Sequence, residues 1–228
     1  MPMLKKYKDI FVLCSLILLF SCNKEPASTA FRFHDNGSSK PIVLLSKILE
    51  SSPKSTYKWS VSEELSQEVL RFTQDHNQLY LSQPILSEFK KEDFFLSPKE
   101  LNKSLGMNHD YLVMMSLIQH EIIPYARSTM NIKPIFKIKG YPVQALIMKV
   151  RIKVFKLSKK NEPQLILHEI VRSNHEISHI DARTNYDQIS WNDFEYTDTA
   201  LSKAHKKLAF QLTDHYEDYI RINRVEGY

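Results

Sequence analysis

Two cysteines in 228 residues, both among the first 22, leave everything beyond Cys22 without a thiol. That long remainder can form no internal disulfide, so its stability rests on packing alone. Four glycines leave no room for a glycine-rich phosphate loop, and no GxGxxG or Walker pattern is present. No Gly-x-Ser-x-Gly nucleophile turn occurs either. A long apolar run is missing as well. The one unbroken stretch, residues 10–20, has eleven residues, whereas a helix crossing a bilayer core needs about 20. The formal net charge of +5 is mild for 228 residues and makes no case for nucleic acid.

What is present at the N-terminus has the layout of an export signal. Lys5, Lys6 and Lys8 precede the short apolar run, and the small residue Ser21 stands just before Cys22. Leu19-Phe20-Ser21-Cys22 resembles the lipobox of bacterial lipoproteins, a Leu-x-small-Cys pattern. The resemblance implies that Cys22 receives diacylglycerol, that residues 1–21 are removed, and that the new amino group is acylated. Several acyl chains hold a protein stably at a membrane, where one chain does so only marginally. Asn23 follows, where an Asp would be the inner-membrane retention signal. The expected address is therefore the outer membrane, periplasmic face. Cleavage would leave 207 residues and lower the charge to +3, because Lys5, Lys6, Lys8 and Asp9 depart.

Residues 22–40 are polar, with Pro26, Gly37 and several serines, and read as lipidated Cys and flexible tether. Residues 41–228 read as one domain. Ile42 to Leu45 is an apolar run that predicts a buried strand over 41–49. Ser60 with Glu63 predicts a capped helix to about residue 75, with Val61, Leu65, Val69 and Phe72 on one face. A short strand is expected over 78–81. Ser97-Pro98 with Gly106 marks a second helix. Residues 111–118 read as another buried strand, and 127–140 as a loop. Over 141–157, Leu146, Met148, Val150, Ile152 and Val154 share one face. Lys149, Arg151 and Lys153 alternate on the other, as on the solvated side of an antiparallel sheet. A binding stripe for acidic glycan or lipid headgroups is the rival reading of those cations. Turn residues at 158–163 return the chain along 164–171. Seventeen extended residues would reach about 55 Å, so a bend or bulge is expected in that hairpin. Residues 198–220 read as a long terminal helix with Leu201, Ala204, Leu208, Leu212 and Tyr219 as its stripe.

The fold class is α/β, a single mixed sheet with a long antiparallel hairpin packed by helices, after a lipoprotein signal and tether. This order resembles the α/β domain shared by the curli-secretion lipoprotein, the lipoprotein activators of penicillin-binding proteins and the N-terminal domain of the Tol-system propeller protein. The lipopolysaccharide-transport lipoprotein is a second candidate. The resemblance covers about residues 41–220, has no diagnostic motif, and carries over no binding residue.

Candidate chemistry is sparse. His120-Glu121, His168-Glu169 and His175-Glu176 are adjacent pairs, whose side chains point apart in regular structure. Trp59 and Trp191 flank element starts and are expected to pack. His175-Glu176-Ile177-Ser178-His179 matches the His-Glu-x-x-His pattern of zincin metalloproteases. That resemblance implies His175 and His179 as zinc ligands, Glu176 as general base and Glu195 as third ligand. The polar Arg172-Ser173-Asn174 before it and the continuation from a strand oppose a helix there. In an extended chain the two histidines stand about 13 Å apart and do not share a metal. The motif is therefore expected to be fortuitous, with no metal or cofactor. The expected function is non-catalytic: an anchored envelope lipoprotein that contacts another envelope protein or its own copies. The alternatives are an anchored zinc metallohydrolase and a subunit of an oligomeric channel built from the amphipathic hairpin.

Overall fold

The computed structural model describes residues 32–51, 57–82, 89–90, 92–97, 100, 109–124, 142–157, 162–178 and 180–225. The lipobox, the span read as a helix after Ser97 (apart from Glu100) and the loop at 127–140 lie outside them.

Strand β1 (Ile42–Glu50) leads to helix α1 (Val61–His76) and a two-residue strand β2 (Tyr80–Leu81). Strands β3 (Tyr111–Pro124), β4 (Pro142–Lys156) and β5 (Gln164–Ser178) follow, and helix α2 (Ala200–Val225) closes the order. The five strands form one mixed sheet in the order β2-β1-β3-β4-β5. β1 runs parallel to β2 and β3, while β3–β4 and β4–β5 are antiparallel. Both helices pack on one face. No helix among the described residues is long and apolar enough to cross a membrane.

Local chemistry sets these boundaries. Ser60, in extended conformation, accepts a hydrogen bond from Glu63 N at 3.3 Å and so caps α1. Asn77, at φ 55°, ends it in the left-handed conformation that Asn tolerates. Val61, Leu65 and Val69 are buried against β1. The ladder between β1 and β3 slips between Leu45 and Ile48. Ile48 N there donates to Ser66 Oγ of α1 at 2.8 Å, so a buried amide keeps its partner. On β4, Leu146, Met148, Val150, Ile152 and Val154 are all fully buried under the helices, as their alternation predicts.

The length argument for the hairpin also holds. Register shifts occur between Leu117 and Gln119, between Val154 and Phe155, and between Pro142 and Gln144. These bulges bend strands that would otherwise outrun the domain. β3 and β5 continue beyond the predicted 118 and 171, through residues too polar to read as buried strand. In α2 the most deeply set aromatic is Tyr216 rather than Tyr219, which is only partly buried.

The other face of the sheet differs from its expected solvation at one end. Leu44, Leu112, Met114 and Phe155 form a second small core under Phe94, from the 3-10 turn Glu92–Phe95. Lys153 Nζ donates to Phe94 O at 2.8 Å and lies 4.8 Å from the Phe94 ring centre. Desolvation lowers the Lys153 pKa. Lys153 is thus a packing residue, and only Lys149 and Arg151 keep the open part of the stripe.

Residues 32–40, the last part of the span read as tether, turn back on themselves. Phe33 bridges Ser39, and Gly37 supplies a φ of +79° that other residues rarely adopt. Arg224 donates to the Ser39 carbonyl, and the buried Lys40 reaches Asn77 Oδ1.

Candidate functional site

The described residues hold one deeply buried cluster of titratable side chains, and four elements build it. Glu64 lies in the first turn of α1, four residues after its cap. His205 lies near the start of α2, and Tyr196 in the 3-10 turn Phe194–Asp198 before it. His120 comes from β3 just past the slip between Leu117 and Gln119. Without that extra residue, strand alternation would point His120 away from the helices.

The hydrogen bonds close on themselves. Glu64 Oε2 accepts from Trp59 Nε1 at 3.0 Å. Its Oε1 accepts from Tyr196 OH at 2.7 Å and faces His205 Nδ1 at 2.8 Å. A proton on His205 Nδ1 leaves its Nε2 as acceptor for His120 Nε2–H, 2.9 Å away. Glu64 and His205 are 2% and 1% exposed, which leaves no surface for a substrate. Around them Tyr57 stacks on Trp59 at 5.0 Å and meets His120 and Tyr186 edge-on at 5.8 and 5.9 Å. Burial pushes the Tyr57 hydroxyl up to about 12 and raises Tyr186 and Tyr196 as well. Burial, helped by the neighbouring His205, pushes His120 down to about 3. A carboxylate–imidazole–imidazole chain resembles a proton relay in layout. Every hydrogen-bonding atom of Glu64 and His205 is, however, engaged within the fold. It acts as a polar pin joining α1, α2, β3 and the Trp59 segment.

The pin makes stability depend on pH. Folded His120 stays neutral down to about pH 3, whereas the unfolded imidazole gains its proton near pH 6.5. The unfolded state thus binds more protons between these values. The His120 contribution is complete above about pH 6.5 and is lost as pH falls toward 3, by up to about 1.4 kcal/mol per pH unit. His168 and His175 are also lowered and share the direction. Urea melts at pH 7 and pH 5 should show this loss, and His120→Gln should flatten it. An equal slope in His120→Gln would remove His120 as the source.

The residues singled out in the sequence are scattered. Cys22 and His179 lie outside the described residues. His175 and Glu176 are in strand β5, opposite Leu146 and Ala145 on opposite faces of the sheet. Glu195 is exposed in the 3-10 turn. Residues 175–178 are therefore extended, without the helical turn that would bring a zincin pair together. Among the described residues no group of three or more His, Cys, Asp or Glu is placed to hold a metal ion. Glu169 bonds to His215 at 2.9 Å and Tyr219 at 3.1 Å, while its neighbour His168 points to the other face. Trp59 does more than pack, since it donates to Glu64. Sequence reading missed the pin because Glu64 lies far along the chain from Tyr196 and His205, and His120 from His205. The available signal was periodicity. Glu64 follows Val61 by three, and His205 follows Leu201 by four, so both polar residues sit inside apolar stripes.

One edge of the sheet is formed by β5. It is an outer strand of fifteen residues, and among the described residues no strand pairs with its far side. Its outward face carries Ile170, Arg172, Asn174 and Glu176, all exposed.

A model of a family of unknown function, DUF7499, matches residues 29–224. No curated protein sequence matches the chain. Among solved structures, the hypothetical protein CT253 of Chlamydia trachomatis is 18% identical with a TM-score of 0.59, covering 80% of this chain and 98% of that one. The two share a fold. Lipoprotein GNA1162 of Neisseria meningitidis matches at 10% identity and a TM-score of 0.33, over 64% of this chain and 87% of that one. A Caulobacter crescentus protein named as a lipoprotein matches at 11% and 0.33, over 78% and 92%.

Proposed function

The chain belongs to this family of unknown function, and from that premise we propose a non-catalytic lipoprotein of the bacterial outer membrane that assembles with its own copies through β5. The lipobox residues Leu19 to Cys22 support the anchor. The resemblance in element order to the curli-secretion and penicillin-binding-protein-activator lipoproteins and the Tol domain supports a role in an envelope assembly. The observation that carries the reading is the fifteen-residue outer strand. An exposed strand of that length is a template for strand addition unless something blunts it.

The charge pattern favours a second copy as occupant. A two-fold axis normal to the sheet at Asn174 sets Arg172 opposite Glu176 twice, on the same face. On the helix side it sets Val171 opposite Ile177. Antiparallel pairs of opposite charge and of apolar side chains both favour this register. The zinc hydrolase loses support because residues 175–178 are extended. The channel loses support because the apolar face of β4 is already covered by helices.

The test uses the full chain extracted in detergent. A fatty-acid probe should label wild type and not Cys22→Ala; equal labelling removes the anchor. Sedimentation should give a dimer. Arg172→Glu should weaken it roughly tenfold or more, and the swap Arg172→Glu with Glu176→Arg should restore it. A dimer indifferent to both variants, or no dimer at all, would overturn the β5 interface.

A further inference from the structure

On the face of the sheet turned away from the helices, cations gather on β4 and β5. Lys149 stands directly opposite Arg172, and Lys153 opposite His168. Arg151 lies between the two lysines on the same face, opposite Ile170. On the β3 side Lys149 and Arg151 meet Gln119 and Ser116, which carry no charge. Like charges directly opposite on an antiparallel ladder destabilise it. Among the described residues none of Lys149, Arg151 and Arg172 forms an ion pair. The acids of this face on β3 and β5, Glu121 and Glu176, stand further along, opposite Ile147 and Ala145. Desolvation, then Lys153 and Arg151, lower the His168 pKa, as neighbouring cations do. Two apolar side chains lie exposed among these charges. Ile170, between His168 and Arg172, is 40% exposed. Phe95, in the turn that covers the other end of this face, is 65% exposed beside the buried Phe94. That turn also holds Glu92 and Asp93, the latter accepting from the Lys90 amide at 2.7 Å.

We propose that this face rests on an anionic phospholipid bilayer, with Lys149, Arg151 and Arg172 against the phosphates and Phe95 in the headgroup layer. Phosphates offset the repulsion between Lys149 and Arg172, which an uncharged occupant leaves in place. Basic side chains are drawn to anionic leaflets, and aromatic ones settle at headgroup level. The choice of a bilayer rests on the reading of Cys22 as a lipid anchor. Three cations hold a free protein weakly, but an anchored one needs little more. Ten positions separate Cys22 from Arg32, a reach of about 35 Å at most, so the surface is present at high effective concentration. The β5 dimer is compatible with this contact. Its two-fold axis is normal to the sheet, so both open faces point the same way, and Lys149 and Arg151 lie one strand in from the interface.

Alkylation by N-ethylmaleimide tests the contact on the full chain, extracted in detergent and returned to phosphatidylcholine vesicles with or without about 30% phosphatidylglycerol. Ile170→Cys reports on the open face, and Lys203→Cys, exposed on α2, is the control on the helix side. Ile170→Cys should react about fivefold more slowly in the anionic vesicles, and Lys203→Cys at the same rate in both. A β5 dimer shields position 170 equally in the two lipids and so leaves this ratio unchanged. About 0.5 M salt should remove the protection. The added pair Lys149→Asp and Arg151→Asp should remove it too, and Phe95→Ser should reduce it. Wild type should not react, because its remaining thiol carries lipid; a reactive wild type overturns the anchor and, with it, the choice of a bilayer. With wild type inert, equal rates at position 170 in the two lipids would overturn the contact alone. So would protection that survives the paired substitution, or equal protection at position 203. Protection in neutral vesicles by added peptidoglycan fragments, with none from anionic lipid, would assign the face to glycan and overturn the bilayer.

Discussion

Glu64→Ala is expected to lower the unfolding free energy by about 3–5 kcal/mol, the usual cost of removing one partner from a buried charged network. Trp59 Nε1, Tyr196 OH and His205 Nδ1 all point at this carboxylate. Neither Tyr196 nor His205 gains a route to water when it goes, because they are 2% and 1% exposed. The loss therefore combines missing hydrogen bonds with stranded donors, which individually cost about 1–3 kcal/mol. Its neighbour provides the control. Glu63→Ala removes an exposed side chain and leaves the cap, since Ser60 bonds to the Glu63 backbone; it should stay within about 0.5 kcal/mol. Replacing both partners, Glu64→Leu with His205→Leu, should be less harmful than the sum of the single changes, because apolar pairs strand fewer groups. Urea melts of wild type, Glu64→Ala, Glu63→Ala, Glu64→Leu, His205→Leu and the double variant check the set. A Glu64→Ala loss below about 1 kcal/mol would mean that the pin does not hold the layers together.

The same network shows where the sequence was readable and where it was not. Features set by neighbours within one turn or one pleat were legible: the Ser60 cap, the five inward residues of β4 and the stripe of α2, while most of the turn expected at 158–163 lies outside the described residues. Features set by partners far along the chain were not. The extension of β5 through His175 runs Arg172-Ser173-Asn174-His175-Glu176, polar at every position, so its pattern does not separate edge strand from loop. The slip before Gln119 cannot be seen in β3 itself, yet it decides that His120 meets His205. Lys153 looks identical to Lys149 in the alternation, and only the arrival of Phe94 from another segment distinguishes them. Tyr216 and Tyr219 follow Leu212 by four and seven, so both continue its stripe and the pattern alone does not choose between them. The helix resolves it by placing the Tyr216 hydroxyl against Thr73 of α1.

Val150→Asp should be at least as damaging as Glu64→Ala. Val150 is fully buried at the middle of β4, opposite Leu117 of β3 and Val171 of β5. Its surroundings are the apolar core beneath both helices. The new group must either stay protonated or be ionised without a partner, and its cost is about 4 kcal/mol or more. Lys153→Asp is the informative companion. An unrestrained surface lysine would give almost no effect. Here the substitution removes a hydrogen bond to the Phe94 carbonyl and a cation from the Phe94 ring. It also places an acid beside a backbone oxygen, and the expected loss is about 1–2 kcal/mol. Lys149→Asp, on the same face without those contacts, should lie within about 0.5 kcal/mol. Denaturant melts should therefore rank the three as Val150 far above Lys153, and Lys153 above Lys149. Equal losses at positions 150 and 153 would mean that β4 does not present Val150 to the helices. Equal and negligible losses at positions 153 and 149 would mean that the Phe94 turn does not cover the second face of the sheet.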